Sequence, residues 1–300
     1  MRMGVSLPST DIGGDPIVQK DFAQAVEGMG FDHLAVYDHV VGINPESHPD
    51  WNGPYTSGHC FHDPFALFGF LAAHTTKIVL TTHILILAQR QTALGARQAA
   101  SVDVLSGGRM RLGIGIGWNP VEFTVLGEDF GTRGAKSLEQ IEVLQALWSA
   151  PHVTFKGRWH DLPDVGLNPM PIQQPIPIWL GGHHENVLRR IASHGDGWII
   201  LAYKPDAKGA AEVERLRTMV AKAGRPKEAV GIDAWVSIGG TTPDDWRTEI
   251  EGWRKLGISH VTLNTAFERM HHKPIEAKTL AGHLKAIETY RNTVADLLAP

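Results

Sequence analysis

Two residues that could move a proton stand side by side at the end of a short apolar run. The run, His33–Tyr37, has the composition of a buried strand, and Asp38 and His39 follow it directly. An imidazole titrates near neutral pH, so His39 could carry a proton or donate a hydrogen bond, with Asp38 orienting its ring. The alternatives are an ordinary loop histidine and a carboxylate that only caps the turn. Their position directly after a strand favours the catalytic interpretation.

Two glycine motifs could hold a ligand. The run Gly113–Gly117 has glycine at every second position, which places the glycines on one face of a predicted strand. A face without side chains lets a flat ligand or a neighbouring element approach, and tight packing of a helix is the alternative. The run Gly181–His184 leads from a strand into a helix, whose N–H groups and dipole favour a phosphate. Glycine before a helix is also common turn chemistry.

The elements that must position these residues alternate regularly. Short apolar runs predict the strands Met3–Pro8, His33–Tyr37, Ile78–Leu87, Met110–Ile116, Ile178–Leu180, Gly197–Leu201, Val230–Ser237 and His260–Leu263. A helical segment follows each strand, and no linker divides the series. This alternation predicts an α/β fold of the (β/α)8 TIM-barrel type, a single domain over residues 1–300 with loop insertions. A doubly wound sheet is the alternative, but Ser9–Asp15, after the first strand, lacks the GxGxxG fingerprint.

Two segments interrupt the alternation. Asp38–Asp63 is a long polar stretch rich in Gly, Pro and His, and a stretch of that length in a compact domain is usually a functional loop. Val153–Pro177 is proline-rich and is predicted to be an irregular insertion. Both belong to the loops that would line a substrate pocket, and nothing in their composition identifies the substrate.

Composition and charge exclude several classes of protein. Lys+Arg 28 against Asp+Glu 32 gives a net charge of −4, which provides no field for nucleic acid or an anionic membrane. The one cysteine, Cys60, excludes an internal disulfide and a CxxC metal site. We expect no metal, because the first strand lacks an HxH pair and adjacent histidines rarely ligate one ion. The longest apolar run is too short for a membrane span and the N-terminus has no apolar export segment, so a cytoplasmic enzyme is expected.

Three segments resemble the bacterial luciferase-like monooxygenase superfamily. LSGGRMRLGIGIGWNPVEF (Leu105–Phe123) resembles its SGGR turn and glycine-striped strand, and FDHLAVYDHV (Phe31–Val40) resembles its second strand with the active-site histidine. PIWLGGHHENVLRRIASHGDGWI (Pro177–Ile199) resembles its phosphate-binding strand and helix. The segment Gly53–Arg109 is similar to the branch called LLM-class F420-dependent oxidoreductases. The fold that this resemblance implies is the barrel that the alternation predicts independently.

The resemblance implies a redox enzyme that uses the deazaflavin coenzyme F420 or flavin mononucleotide (FMN). The ring of the cofactor would lie across the top of the barrel, with His39 and Asp38 beside it as catalytic residues and His39 handling the proton. The resemblance also implies a non-prolyl cis peptide at His83–Ile84. The residues expected at the cofactor are Thr82, His83, Ile84, Gly115, Gly181, Gly182 and His183.

Three residues depart from the pattern of the family. His83 stands where relatives often carry a small residue, and Ala88 stands where they often carry proline. A bulky His83 would either contact the cofactor or narrow its slot. Trp118 stands where sugar-phosphate dehydrogenases of the superfamily carry an acidic catalytic residue. This difference argues against a sugar-phosphate reaction and predicts an apolar wall over the substrate pocket.

Three functions follow from the resemblance. The first is an oxidoreductase that transfers hydride between F420 and a small organic substrate. The second is an FMN-dependent two-component monooxygenase, in which a separate reductase supplies reduced cofactor that reacts with O₂. The third is a flavin- or deazaflavin-binding protein without turnover, its pocket blocked by His83 and Trp118. Because the family is usually dimeric or larger, a homodimer is predicted.

Overall fold

The strands of the protein close into a barrel that the helices surround. The computed structural model describes residues 1–298. The strands are β1 (Arg2–Ser6), β2 (His33–Val36), β3 (Val79–Thr82), β4 (Leu85–Ile86), β5 (Met110–Gly115), β6 (Val153–Lys156), β7 (Asp161–Val165), β8 (Ile178–Gly181), β9 (Gly197–Ile200), β10 (Gly231–Ser237) and β11 (His260–Asn264). The helices are α1 (Ser9–Ile12), α2 (Pro16–Gly28), α3 (Pro64–Ala72), α4 (Thr92–Ser106), α5 (Pro120–Val125), α6 (Arg133–Ser149), α7 (Glu185–His194), α8 (Ala207–Lys222), α9 (Pro243–Lys255) and α10 (Leu280–Leu298).

The barrel wall is a closed ring of parallel strands. Their order is β3, β2, β1, β11, β10, β9, β8 and β5, and the pairing of β3 with β5 completes the ring. The predicted (β/α)8 TIM barrel is confirmed, and every predicted strand overlaps an observed one. Within residues 1–298, none of the helices is long and apolar enough to cross a lipid bilayer.

Two helices show how the sequence sets the starts of elements near the barrel mouth. The Asp15 carboxylate accepts from the N–H groups of Ile17 and Val18, and Pro16 follows as the first residue of α2. Asp63 caps α3 in the same way, with Pro64 in first position. A carboxylate that binds free N–H groups at a helix start typically stabilises the helix by about 1 kcal/mol. Asp63 therefore ends the long loop at a defined residue.

The helices are fixed to the barrel by one large cluster of buried apolar side chains. Leu34 and Leu263 of the strands belong to it together with Phe22 and Trp148 of the helices, and none of these four is exposed. The Trp148 indole N–H donates to the Ala96 carbonyl at 3.0 Å. Each fully buried apolar side chain of this size contributes about 1.5–3 kcal/mol, so the cluster provides a rigid support for the loops at the barrel mouth.

The segment predicted as one strand, Ile78–Leu87, is interrupted. The His83–Ile84 peptide is cis, as the resemblance implied, and it separates β3 from β4. Thr81 pairs with Arg111 and Leu85 with Ile114, so four steps along this segment match three steps along β5. One extra residue in a strand forms a bulge. The bulge carries the side chain of Ile84 out of the strand.

The glycine stripe of β5 makes room for this bulge. A Cβ at Gly113 would lie 1.9 Å from the Thr82 carbonyl oxygen, and a Cβ at Gly115 would lie 1.6 Å from Ile84 Cδ1. Of the alternatives that the sequence left open, the close approach of a neighbouring element is the one observed here. The stripe of glycines and the bulge are therefore two halves of one packing arrangement.

The insertion Val153–Pro177 is more ordered than its composition predicts. It contains β6 and β7, which form a separate antiparallel pair. The Glu139 carboxylate of α6 accepts from the N–H groups of Arg158, Trp159 and His160 at 2.8–2.9 Å. This contact comes from a distant part of the chain, which is why the local composition did not reveal the hairpin turn.

The packing at the bulge predicts that Gly113→Ala destabilises the protein by about 1–3 kcal/mol, because backbone must move to admit the methyl group. Gly69→Ala is the matched control: Gly69 is helical and a Cβ there meets nothing within 4 Å. The control should be neutral or stabilise the protein by up to about 1 kcal/mol. Urea unfolding of both variants gives the comparison, and equal effects would contradict the packing argument.

Candidate active site

Two adjoining cavities open at the C-terminal ends of the barrel strands. The first, here called the slot, has a volume of about 230 Å³, and the second, the mouth pocket, about 190 Å³. Residues that line both cavities are His83, Ile84, Ile86, Trp118, Leu201, Trp235 and Arg269. Since TIM-barrel enzymes place their active sites at this end of the strands, the two cavities are the candidate site.

One side of the slot is made by glycines at the start of α7. Gly181 and Gly182 line it, and a Cβ at Gly181 would lie 3.0 Å from Ile84 Cγ2 of the bulge. Gly182 has φ +121°, a conformation that favours glycine. The Trp198 indole donates to the Gly182 carbonyl at 2.7 Å and so fixes the turn. A side chain on Gly181 would crowd this side of the slot.

The two histidines after these glycines have different places. His183 lines the slot. His184 instead caps α7, because its Nδ1 accepts from the Asn186 N–H at 3.2 Å. The turn thus places the imidazole of His183 and the N-terminus of a ten-residue helix at the slot. Such an arrangement suits a phosphate group.

His39 lines the mouth pocket and is held there by aromatic and acidic neighbours. Its ring stacks on Tyr55, with the ring centroids 3.7 Å apart, and meets Phe61 edge-on at 4.9 Å. Its Nδ1 lies 3.6 Å from Oε1 of Glu122. The side chain is 17% exposed, so the imidazole is supported on several sides and is still accessible from the cavity.

Glu122 is the carboxylate that faces His39. It is buried, and it also accepts from the Val40 N–H at 3.0 Å and from Gln89 Nε2 at 3.3 Å. Burial acts to raise the pKa of Glu122, but His39 and these donors outweigh it and hold the pKa below its usual value. Glu122 is therefore an ionised partner that would stabilise a positive charge on the imidazole.

Asp38, the neighbour of His39 in sequence, has different partners and does not contact Glu122. Its Oδ1 accepts from Arg90 Nη2 at 2.8 Å and its Oδ2 from the Ile86 N–H at 3.2 Å. Burial raises the pKa of Asp38 above its usual value even though Arg90 acts to lower it. Asp38 also lines the mouth pocket, but its two carboxylate oxygens are bound to Arg90 and to the Ile86 N–H, whereas the ring of His39 faces Glu122.

Arg90 joins the two ends of the long loop Asp38–Asp63. The same nitrogen, Nη2, lies 2.8 Å from Asp38 Oδ1 and 3.0 Å from Asp63 Oδ2. The two carboxylates raise the pKa of Arg90 against the effect of burial, so the guanidinium stays charged. Between these fixed ends the loop delivers Tyr55 and Phe61 to the mouth pocket.

Two residues expected at the cofactor lie in the wall behind it. Thr82 is fully buried, and its hydroxyl donates to the Gly113 carbonyl at 2.6 Å. Gly115 lies under Ile84, where its missing side chain leaves space for that of the isoleucine. Ile84 itself lines the slot. Thr82 and Gly115 thus support the bulge, and Ile84 is the surface that the bulge presents.

Trp118 stands on the shared wall of both cavities. Its ring stacks on Trp51 at 5.8 Å and meets Tyr55 edge-on at 5.8 Å, and 40% of the residue is exposed. The Arg269 guanidinium lies 5.9 Å from the centre of the Trp118 ring. The Tyr55 hydroxyl accepts from Asn119 Nδ2 at 2.9 Å. The wall over the mouth pocket is therefore aromatic, with one cation at its rim.

The floor of the two cavities rests on a buried polar cluster around Asp233. This carboxylate accepts from Thr262 Oγ1 at 2.9 Å, and Nε2 atoms of His33 and His83 each lie 3.3 Å from its Oδ2. Arg111 Nη2 lies 4.0 Å away. Burial acts to raise the pKa of Asp233, but these neighbours hold it well below its usual value. Asp233 is therefore ionised inside the barrel.

The ring of His83 is turned toward this cluster. Its side chain is 1% exposed, with Nδ1 3.2 Å from the Trp235 indole nitrogen and Nε2 near Asp233. Both cavities remain open beside it. A pocket blocked by His83 and Trp118 is therefore not what the structure shows.

Sequence reasoning missed four residues of the site: Glu122, Tyr55, Asp233 and Trp235. Asp233 gave a usable signal, since it is the only charged residue within the apolar run Ile232–Ser237. Glu122 lies near the end of the segment Leu105–Phe123, in α5, and contacts His39, which follows β2. Its role depends on a contact that no local pattern reports.

The fold and the site together define a class of protein: a TIM-barrel enzyme with a narrow slot at the barrel mouth beside a histidine–carboxylate pair. Residues 1–291 match the family described as luciferase-like monooxygenase. The chain belongs to this family and is an oxidoreductase.

Relatives and solved structures agree with this assignment. An uncharacterized protein of Mycobacterium tuberculosis is 32% identical over 214 residues, which cover 70% of this chain and 71% of the relative. The F420-dependent glucose-6-phosphate dehydrogenase of Microbacterium testaceum is 26% identical over 292 residues, covering 95% of this chain and 80% of the relative. The solved structure of an F420-dependent secondary alcohol dehydrogenase with an F420-acetone adduct has a TM-score of 0.78 at 17% identity, covers 98% of both chains and shows the same fold.

The buried cluster predicts a loss of stability in acid. Burial lowers the pKa of His33 to about 4, against about 6.5 in an unfolded chain. Above pH 6.5 the contribution of His33 to the free energy of unfolding is constant. As the pH falls from 6.5 toward 4, the unfolded chain binds a proton at this histidine and the folded protein does not. The free energy of unfolding should therefore fall by about 1.4 kcal/mol per pH unit from this group alone.

The test compares variants by urea unfolding between pH 7 and pH 4. His33→Gln keeps a donor toward Thr262 but does not titrate, so its acid slope should be shallower than that of the wild type. His48→Gln, in an exposed part of the loop, is the control and should leave the slope unchanged. An unchanged slope in His33→Gln would show that His33 is not a source of the acid sensitivity.

Proposed function

We propose that the protein is an F420-dependent oxidoreductase that transfers hydride between the cofactor and a small organic substrate, with His39 handling the proton. The observation that carries this proposal is the placement of His39. Its imidazole lies in the mouth pocket, Nδ1 faces the ionised Glu122 at 3.6 Å, and the pocket shares Ile84 of the bulge with the slot. A proton carrier is thereby set beside the position that suits a flat ring.

The residues of the slot fit such a cofactor. Ile84 would support the ring, and the glycines Gly181 and Gly182 leave the space that side chains would fill. The N–H groups at the start of α7, with His183, would take the phosphate. When bound, F420 supplies the hydride at C5 of its ring, and the protein contributes position and electrostatics. The F420-dependent relative from Microbacterium testaceum supports this choice of cofactor.

The residues around His39 suit a proton-transfer role. Stacking on Tyr55 fixes the plane of the imidazole, and Glu122 stabilises the protonated form at Nδ1. The other ring nitrogen, Nε2, is then the atom that exchanges a proton with the substrate. Asp38 has a structural role in this proposal. It accepts from the Ile86 N–H of β4 and from Arg90, which also binds the far end of the loop, and these contacts keep His39 in place.

The walls of the mouth pocket favour an apolar substrate. Its aromatic lining residues include Trp118, Trp235, Phe61 and Phe267. By the resemblance, sugar-phosphate dehydrogenases of the superfamily carry an acidic residue at the position of Trp118. A small, largely apolar molecule bearing one oxidisable or reducible group fits these walls better than a sugar phosphate. From the resemblance we also propose that the protein forms a homodimer.

The second candidate is an FMN-dependent monooxygenase supplied by a separate reductase. The description of the family as luciferase-like monooxygenase supports it. The slot and the glycines of α7 would accept FMN for the same reasons that they would accept F420. The cofactor that binds therefore decides between the two candidates.

Titration with the two cofactors should separate these candidates. F420 should bind at micromolar concentration, and at 100 times its Kd it should stabilise the protein by about 2.7 kcal/mol, seen as a rise in Tm. FMN should give a much smaller rise. Gly181→Val, which fills the slot, is the matched variant and should lose the rise. Tight FMN binding with weak F420 binding would favour the monooxygenase, and binding of neither would overturn both.

The role of His39 predicts that His39→Ala lowers kcat by about 10²–10⁴ while the Kd of the cofactor stays within about twofold. The assay follows oxidation of reduced F420 with carbonyl compounds, or reduction of F420 with alcohols, after a screen has identified a substrate. His48→Ala, in the same loop but exposed, is the control and should retain activity. An unchanged kcat in His39→Ala would remove His39 from the mechanism.

A further inference from the structure

One of the side chains that line both the slot and the mouth pocket is a tryptophan whose indole N–H is bound inside the barrel. Trp235 lines both cavities, is 4% exposed, and meets Tyr37 and His272 edge-on at 5.7 and 5.6 Å. Its indole nitrogen lies 3.2 Å from His83 Nδ1. We propose that His83 is a positioning residue that, held by Asp233, fixes Trp235 and thereby sets the shape of the substrate side of the site.

The chemistry of the indole settles which tautomer His83 must adopt. An indole N–H only donates, so the Nδ1 of His83 that faces it must be the unprotonated nitrogen. In a neutral imidazole the proton is then on Nε2. This Nε2–H faces Oδ2 of Asp233 at 3.3 Å. His83 thus links a carboxylate in the barrel interior to a side chain that lines both cavities.

The carboxylate end of this link is itself fixed. Thr262 Oγ1 donates to both oxygens of Asp233 at 2.9 Å, and His33 and Arg111 approach the same carboxylate from β2 and β5. His83 therefore meets an acceptor whose direction is set by groups from three other strands, β11, β2 and β5. The 3.3 Å contact of Nε2 with this fixed carboxylate is electrostatic, and it orients the imidazole whose Nδ1 accepts the hydrogen bond from Trp235.

Two other roles for His83 agree less well with the geometry. A proton carrier needs access to substrate, and the side chain of His83 is 1% exposed with both ring nitrogens facing protein groups. His83 also lines the slot, but its two ring nitrogens face Trp235 and Asp233, so it offers a cofactor no free polar atom. What His83 controls is the indole of Trp235, since loss of the acceptor would leave a buried N–H without a partner and release the ring.

Two conservative substitutions of His83 test its contact with Trp235 and its contact with Asp233 separately. Asparagine places its amide oxygen near the position of Nδ1, so His83→Asn keeps an acceptor for Trp235 and loses the contact with Asp233. Glutamine reaches the position of Nε2, so His83→Gln keeps the contact with Asp233 and leaves the indole without an acceptor. Trp235→Phe removes the indole N–H and identifies its resonance.

The first test needs neither cofactor nor substrate. In ¹⁵N-labelled protein, the imidazole of His83 should have an unprotonated Nδ1 and a protonated Nε2, which the wild type alone reveals. The indole resonance assigned by Trp235→Phe should move upfield in His83→Gln and stay near its wild-type position in His83→Asn. A protonated Nδ1 in the wild type would overturn the proposal even if the variants were unstable. An indole resonance that does not shift in His83→Gln would overturn it as well.

The second test rests on the proposed function and uses the substrate found for it. His83→Gln should raise KM about tenfold, the size of one lost hydrogen bond, with kcat within about twofold of the wild type. His83→Asn should restore most of the loss. A fall in kcat at unchanged KM would make His83 part of the reaction and overturn the positioning role. If no turnover with F420 is found, the proposed function fails, and the resonances still decide the role of His83.

Discussion

A carboxylate can stay ionised inside a barrel only if the surrounding strands direct donors at it, and Asp233 meets that condition. Thr262, His33, Arg111 and His83 approach it from β11, β2, β5 and the bulge between β3 and β4. Because these groups belong to different strands, the carboxylate braces the barrel across its interior. Removing one of the partners would leave a buried charge less satisfied, so the cluster and the closed ring stabilise each other. The cavities at the barrel mouth rest on this braced floor.

The two cavities are built by different means. The slot is lined by Gly181 and Gly182 at one end and otherwise mainly by aliphatic and aromatic side chains of the strands and of the turns that follow them. The mouth pocket is lined by large aromatic side chains, two of which, Tyr55 and Phe61, come from the loop Asp38–Asp63. No residue of that loop lines the slot. Substitutions in the loop therefore change the mouth pocket more directly than they change the slot.

The sequence was sufficient for the barrel because strand and helix periods are local and repeat eight times. It predicted that His39 follows a strand at the barrel mouth, and the structure has this side chain in the lining of the mouth pocket, while its catalytic role stays a prediction. It did not predict that the adjacent Asp38 faces Arg90, or that Glu122 reaches the imidazole from α5, since both contacts join distant segments. The cis peptide before Ile84 came from the resemblance alone, because no local propensity favours it.

The guanidinium of Arg90 has a consequence for how this protein can change over evolution. By holding Asp38 and Asp63 together, it closes the segment between them into a ring whose two ends share one anchor. The entropy of closing such a ring grows only with the logarithm of its length, so residues can be added or exchanged inside it at little thermodynamic cost. The segment can therefore be replaced as a unit, and a mouth pocket of different shape can arise from it while the barrel and the slot stay as they are.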